Sequence, residues 1–415
     1  MITDTPLRGL ATMLCLAVVS ASTIACDSAS STPITPDPDP ELPDPPIGPP
    51  PPDFPTIPAS GAPVFTGDGV QVVPIASGLE HPWGLAFLPT GELLVTERAG
   101  RLRVVRDGVL QTAPVTGLPD DVRVDGQAGL LDLALHPDFW TDSLVYMTYA
   151  AFTGGGVTTR VARARWDGEG LVGIEEVWTG IEAEMGGSNR HFGSRIVFDE
   201  DGYLYVSMGD RGTMTEGQDR SNHQGSVSRI HDDGSIPDDN PFANASGRLR
   251  SIYAFGMRNP QGLAIHPGTG ALFESEHGPR YGDEVNVIEA GDNLGWAAFS
   301  YGTNYDGSAI GGQSEPPGTK AALVHWANET IAPSGIDFYT GDAFPEWDGD
   351  LFVAGLAARA VIRVDLNGEQ LSGTEHLLGA WGKRIRHVRN GPDGFLYILT
   401  DESDGGIYRL EPVTD

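Results

Sequence analysis

The sequence predicts an all-β fold, a six-bladed β-propeller. Three observations carry that reading: a strand-turn-strand unit recurs at intervals, turn residues abound (55 Gly, 32 Pro), and no long amphipathic helix is apparent. The first unit is Pro82-Trp83-Gly84-Leu85-Ala86-Phe87 followed by Gly91-Glu92-Leu93-Leu94-Val95. A weaker second unit starts at Gly129-Leu130-Leu131, and the third pairs Phe192–Phe198 with Gly202-Tyr203-Leu204-Tyr205-Val206. The fourth pairs Pro260–Ile265 with Gly270-Ala271-Leu272-Phe273. The fifth begins at Ser334-Gly335-Ile336, and the sixth pairs Ile385-Arg386-His387-Val388 with Gly394-Phe395-Leu396-Tyr397-Ile398. Third strands follow in places, as in Gly100–Val105 and Val361–Val364. Six small sheets set radially leave only short edges exposed. The shared starting point of the units favours this arrangement over two unrelated β-sandwiches.

The first 62 residues stand apart from this pattern. Arg8 precedes an apolar stretch from Leu10 to Ala25, which reads as a secretory signal over residues 1–25. Ala25 before Cys26 has the form of a lipoprotein cleavage site with Cys26 as lipid acceptor; a signal cut elsewhere, or a plain anchor helix, is the alternative. Residues 26–62 are Pro, Asp, Ser and Thr in low-complexity order, a disordered linker that cannot bury a core. The propeller is expected over residues 63–415. This places the domain outside the cytoplasm, in the periplasm or cell envelope, touching a membrane only through the anchor.

Composition narrows the partners. The 415 residues carry 26 Lys+Arg against 57 Asp+Glu, a formal charge of -31, which argues against nucleic acid. The two cysteines, Cys15 and Cys26, both precede the body, so no disulfide framework or Cys-based metal site is expected there.

In a propeller the unit-opening turns share one end of the axial channel, where polar groups from distant segments converge. His191 opens the third unit, and a histidine suits proton abstraction near neutral pH. Gln127 opens the second unit, Arg258 and Asn259 the fourth, Arg384 and Arg386 the sixth. Each could be a hydrogen bond to a neighbouring blade. Together, three guanidinium groups converging at one place call for an anion with several carboxylates or phosphates. The segment Glu274–Glu284 offers carboxylates and turn carbonyls, which a hard cation such as Ca2+ takes; a salt-bridged loop is the equal alternative.

These residues lie in motifs that resemble the soluble PQQ-dependent sugar dehydrogenases, in particular the aldose sugar dehydrogenases. The motifs are Gly-Gln-Ala-Gly-Leu-Leu (126–131), Arg-His-Phe-Gly-Ser-Arg (190–195), Arg-Asn-Pro-Gln-Gly-Leu-Ala (258–264), Glu-His-Gly-Pro-Arg (276–280), Asn-Leu-Gly-Trp (293–296) and the run from Arg384 to Gly394. The resemblance implies oxidation of aldoses to lactones by hydride transfer to PQQ, a tricarboxylated orthoquinone. It implies His191 as base and Arg258 as the group polarising the quinone carbonyl. Gln127, Arg258, Asn259, Tyr305, Gly355, Leu356, Ala357, Arg384, Ile385 and Arg386 are implied as cofactor contacts. Carbonyls of Gly278 and Pro279 are implied for a Ca2+ at the cofactor, and Glu284 with the Leu294 carbonyl for a second Ca2+. The partners are then a small aldose and an electron acceptor. Two departures stand out: Ala357 replaces the usual blade-five lysine, with Arg359 two residues on, and Arg190 replaces an aspartate before the histidine, which favours a broad aldose range. A lactonase-type hydrolase or a non-catalytic sugar-binding propeller are the alternative functions.

Overall fold

The computed structural model describes residues 54–413, except 154–155, 183–187 and 313. The signal segment, Cys26 and most of the expected linker lie outside the described residues. Six antiparallel sheets follow one another along the chain. Their innermost strands are Pro82–Phe87, Leu130–Leu135, Ile196–Phe198, Pro260–Ile265, Pro333–Phe338 and Ile385–Asn390, and they line up in that order around a central axis. Each is the first strand of a unit found in the sequence, so the six-bladed propeller is borne out.

The ring closes in blade six. Its three C-terminal strands, Ile385–Asn390, Leu396–Thr400 and Gly405–Pro412, are completed by Val70–Leu79 from the other end of the chain. Packing begins before residue 63: Ile57 is buried against blades six and one, and Arg409 donates to the Ile57 carbonyl at 2.9 Å.

Second strands such as Leu93-Leu94-Val95 are apolar on both faces because a blade in a ring has a neighbour on each side. Every blade interface accordingly has its own apolar cluster. Leu94 meets Leu130 and Met147 between blades one and two, and Phe352 meets Val388 and Ile398 between blades five and six. Buried side chains of this size contribute roughly 1.5–3 kcal/mol each.

Hydroxyl groups tie adjacent blades near the axis. Thr148 accepts from the Asp132 N–H at 2.8 Å and donates to the Ser194 carbonyl of the next blade at 2.7 Å. Ser207 does the same between the Arg195 N–H and the Pro260 carbonyl, and Thr96 between the Gly84 N–H and the Leu131 carbonyl. Ser275 donates to the Ser334 carbonyl at 2.9 Å.

The pairing registers make Gly84, Asp132, Arg195, Gly262, Gly335 and His387 equivalent positions of the six blades. Arg195 occupies the centre of that layer and is fully buried. Its Nε donates to the Gln261 carbonyl at 2.6 Å, Nη1 to Asp132 at 3.1 Å and to His387 Nδ1 at 3.2 Å, and Nη2 to the Arg386 carbonyl at 3.2 Å. The guanidinium stacks 3.8 Å from the Trp83 ring. Gly335 leaves room for it, since a Cβ there would lie 2.8 Å from Arg195 Nη2. One side chain thus touches all six blades. Burial lowers its pKa to about 10, with Asp132 opposing, so it stays charged at neutral pH.

Removing this group strands a buried carboxylate. We predict that Arg195→Leu loses about 3–5 kcal/mol of stability, read by urea unfolding; a loss under about 1 kcal/mol, the scale of an exposed ion pair, would refute the central role of Arg195.

Candidate active site at the propeller axis

Above the Arg195 layer lies a cavity of about 160 Å³ to which all six blades contribute. Trp83 and Gln261, both held by Arg195, form part of its wall. Of the residues expected from the sequence, Gln127, Asn259, Leu356, Arg384 and Arg386 line it.

Asp401 organises the cationic side. It accepts from Arg386 Nη2 at 2.6 Å, lies 3.6 Å from Arg384 Nη2, and bonds His81 Nδ1 at 2.8 Å. Burial pushes its pKa up, but Arg386, His81 and Arg98 outweigh that and hold the carboxyl well below the usual range. Arg386 also donates to Gln261 Oε1 at 3.1 Å and to Ser334 Oγ at 3.3 Å. Among the described residues its Nε, like His277 Nε2, is buried without a partner. Arg384 is less enclosed and donates to the Leu356 carbonyl at 3.1 Å.

His191 flanks the cavity. Its backbone N–H donates to Gln127 Oε1 at 2.7 Å, which joins it to the lining. It sits in a left-handed conformation (φ 55°), and Gly209 packs so close that a Cβ there would lie 2.3 Å from the His191 carbonyl. His191 Nδ1 meets Asp210 Oδ1 at 2.6 Å. Asp210 is held in turn by Trp296 Nε1 at 2.8 Å and the Gly212 N–H at 2.7 Å. Burial raises the Asp210 pKa, but His191, the Gly212 N–H and the Arg258 charge bring it below its ordinary value. An ionised Asp210 makes Nδ1 the protonated nitrogen and leaves the Nε2 lone pair free. Burial and the Arg258 charge lower the His191 pKa against the pull of Asp210, so the ring is neutral at pH 7.

Arg258 sits beside this pair and is not itself among the residues that line the cavity. Nη1 donates to the Gly278 carbonyl at 2.8 Å and the His277 carbonyl at 3.1 Å, and the group lies 5.5 Å from the Trp296 ring centre. Glu276 accepts from the Arg258 and Asn259 N–H groups and so fixes that turn. Asp283 braces the Gly278 turn through the Gly278, Ile331 and Ala332 N–H groups.

Other expected contacts lie apart. Tyr305 is 75% exposed and does not line the cavity. The Ile385 side chain belongs to the core between blades five and six, which leaves only its backbone for a ligand. Ala357 is exposed and Gly355 is buried at the end of its strand. Arg359 turns away to the Gly382 carbonyl at 3.1 Å. Glu284 lies in the blade-four sheet opposite His325, near Glu276 and Asn286, and burial first, then Glu276, raises its pKa well above the ordinary value. Leu294 is tied to the Phe255 carbonyl at 2.9 Å, and among the described residues no hydrogen bond joins it to Glu284. Among the described residues no group of three or more His, Cys, Asp or Glu side chains is placed to hold a metal.

Sequence reasoning missed Asp210, Trp296, Arg98, His277 and Asp401. A register signal was present for three of them: Arg98, His277 and Asp401 each follow directly on a second strand, ending at Glu97, Glu276 and Thr400.

Fold and site together define a propeller with a cationic axial cavity beside a neutral histidine. Residues 79–409 match the family described as glucose/sorbosone dehydrogenase. The aldose sugar dehydrogenase YliI of Escherichia coli is 39% identical over 349 residues, covering 83% of this chain and 93% of its own. The crystal structure of the soluble aldose sugar dehydrogenase from Escherichia coli in its apo form superposes with TM-score 0.79 at 39% identity, over 83% of this chain and 100% of that one. The PQQ-bound aldose sugar dehydrogenase of Streptomyces coelicolor superposes with TM-score 0.70 at 30% identity, over 84% and 99%. The chain belongs to the glucose/sorbosone dehydrogenase family.

The histidine geometry sets a pH dependence. With the His191 pKa depressed, we expect kcat/KM for the sugar to stay level through neutrality and to fall only below about pH 6.5, the ordinary histidine value. Asp210→Asn should cut kcat by roughly 10²–10⁴-fold. An acid limb centred above pH 7, or an unchanged kcat in the variant, would contradict the Asp210–His191 assignment.

Proposed function

We propose that this protein oxidises aldose sugars at the anomeric carbon to lactones, using PQQ held in the axial cavity. The observation that carries the reading is the cavity itself, in which Arg98, Arg384 and Arg386 stand against a single lining carboxylate, Asp401. The donor Arg386 Nε, which among the described residues has no partner, fits a ligand rich in acceptor oxygens. A hydrolase of the lactonase type calls instead for acidic groups at the axis, and Asp401 is already committed to Arg386 and His81.

The chemistry PQQ supplies when bound is a quinone able to accept a hydride. The protein side of the reaction follows from the site. Arg384 and Arg386 hold carboxylates, and Gln127 and Asn259 fix orientation through hydrogen bonds. His191 Nε2 takes the proton of the anomeric hydroxyl as the hydride leaves the same carbon, and Asp210 stabilises the imidazolium that forms. Arg258 places positive charge beside this pair. Gly278 and Pro279 would supply carbonyl oxygens to a Ca2+, a ligand type that this ion favours, and Glu284 with the Leu294 carbonyl a second, structural site. Arg190, which is exposed, favours a broad range of aldoses.

A dye-reduction assay tests this directly. Purified protein given PQQ, Ca2+ and an aldose should reduce the dye. His191→Ala should lower kcat by about 10²–10⁴-fold with PQQ still bound, whereas Arg384→Ala should chiefly weaken PQQ binding. Absence of both turnover and cofactor binding in the wild type would exclude the dehydrogenase reading.

We also propose that Cys26 carries a lipid that tethers the propeller outside the cytoplasm through the Pro-rich linker. In cell fractionation, Cys26→Ser should move the protein from the membrane to the soluble fraction; an unchanged distribution would sink this proposal.

A further inference from the structure

We propose that Arg98 binds the cofactor, supplying a cation to the cavity from blade one. The inference rests on the reading of the cavity as a PQQ site. Its first support is position. The second strands of blades one, four, five and six end at Glu97, Glu276, Gly355 and Thr400, and the next residue in each, Arg98, His277, Leu356 and Asp401, lines the cavity. The Arg98 backbone is fixed there by its N–H to the His81 carbonyl at 3.1 Å, and Gly129 packs against its Cγ.

The second support is the state of its charge. Among the described residues the Arg98 guanidinium has no hydrogen bond or ion pair. The carboxylate that feels it, Asp401, is already engaged by Arg386 and His81, with Arg384 close by. A guanidinium facing a cavity with its donors uncommitted is available to a ligand carboxylate in the bidentate manner that suits it.

The third support comes from blade five, two places from blade one around the ring. It brings no cation to the cavity: Ala332 and Leu356 reach it, Ala357 is exposed, and Arg359 points to Gly382. A tricarboxylate held by Arg384 and Arg386, both facing Asp401, has need of a further positive group. Arg98 is placed to be that group.

The test is a titration of the full-length protein, freed of cofactor, with PQQ, followed by fluorescence quenching at fixed ionic strength. Arg98→Gln keeps the methylenes that pack on Gly129 and removes the charge. It should raise Kd by about 10- to 100-fold, the scale of a lost charge-assisted hydrogen bond. Arg98→Lys should stay within a few-fold of wild type and Arg359→Gln should match it. The thermal midpoint without PQQ should be the same in all, which separates binding from folding. Wild-type affinity in Arg98→Gln, or a loss confined to Arg359→Gln, would overturn the assignment. A wild-type protein that binds no PQQ would instead overturn the reading of the cavity on which the assignment rests.

Discussion

The arrangement depends on one buried guanidinium. Taking a charge out of water costs several kcal/mol unless it is paired and hydrogen-bonded, and Arg195 meets that demand with partners drawn from around the ring. Asp132 neutralises it, His387 and two backbone carbonyls take three further donors, and Trp83 covers its face. Satisfying all of them at once fixes the rotation of each blade about the axis. The Thr and Ser clasps between neighbouring blades hold the same positions from outside. A slip of one residue in any innermost strand would turn a partner of Arg195 away.

The cavity inherits its shape from that layer. Trp83 and Gln261 are gripped from below by Arg195 and face the ligand space from above. Gln261 then hands the constraint on, accepting from Arg386 and donating to the Gly193 carbonyl and to Asn259. Electrostatics divides the space into two regions. On one side Arg386, His81 and Arg98 keep the Asp401 carboxylate ionised. Around Asp210 burial keeps His191 neutral while its hydrogen bond settles which nitrogen is basic. An arginine cluster and a neutral histidine thus sit side by side without cancelling each other.

Much of the ring was legible in the sequence, because the repeat begins each blade at the same turn and the apolar second strands recur. The cavity-lining Arg384 and Arg386 were legible for the same reason: they stand at a turn-proximal position that the repeat marks. The helpers were not. Asp210 lies in Gly-Asp-Arg-Gly after a strand, a setting shared by many surface turns, and only folding brings it against His191 and Trp296. Arg195 was quoted within a motif but its place on the axis depends on five other blades. Arg258 shows the reverse limit. Its position was right, yet the sequence could not reveal that its fork would settle on the carbonyls of His277 and Gly278. Tyr305 shows another: a loop residue carries no periodic signal to say whether it points inward.

Blade six joins Val70–Leu79 to Gly405–Pro412, so an early segment of the chain must wait for a late one. Until the two meet, five sheets can stand only as an open arc, with the apolar flanks of blades one and five uncovered and two strand edges unpaired. A chain of this design is therefore most vulnerable to sticking to its neighbours just before blade six closes, and holdase chaperones have their greatest use at that moment.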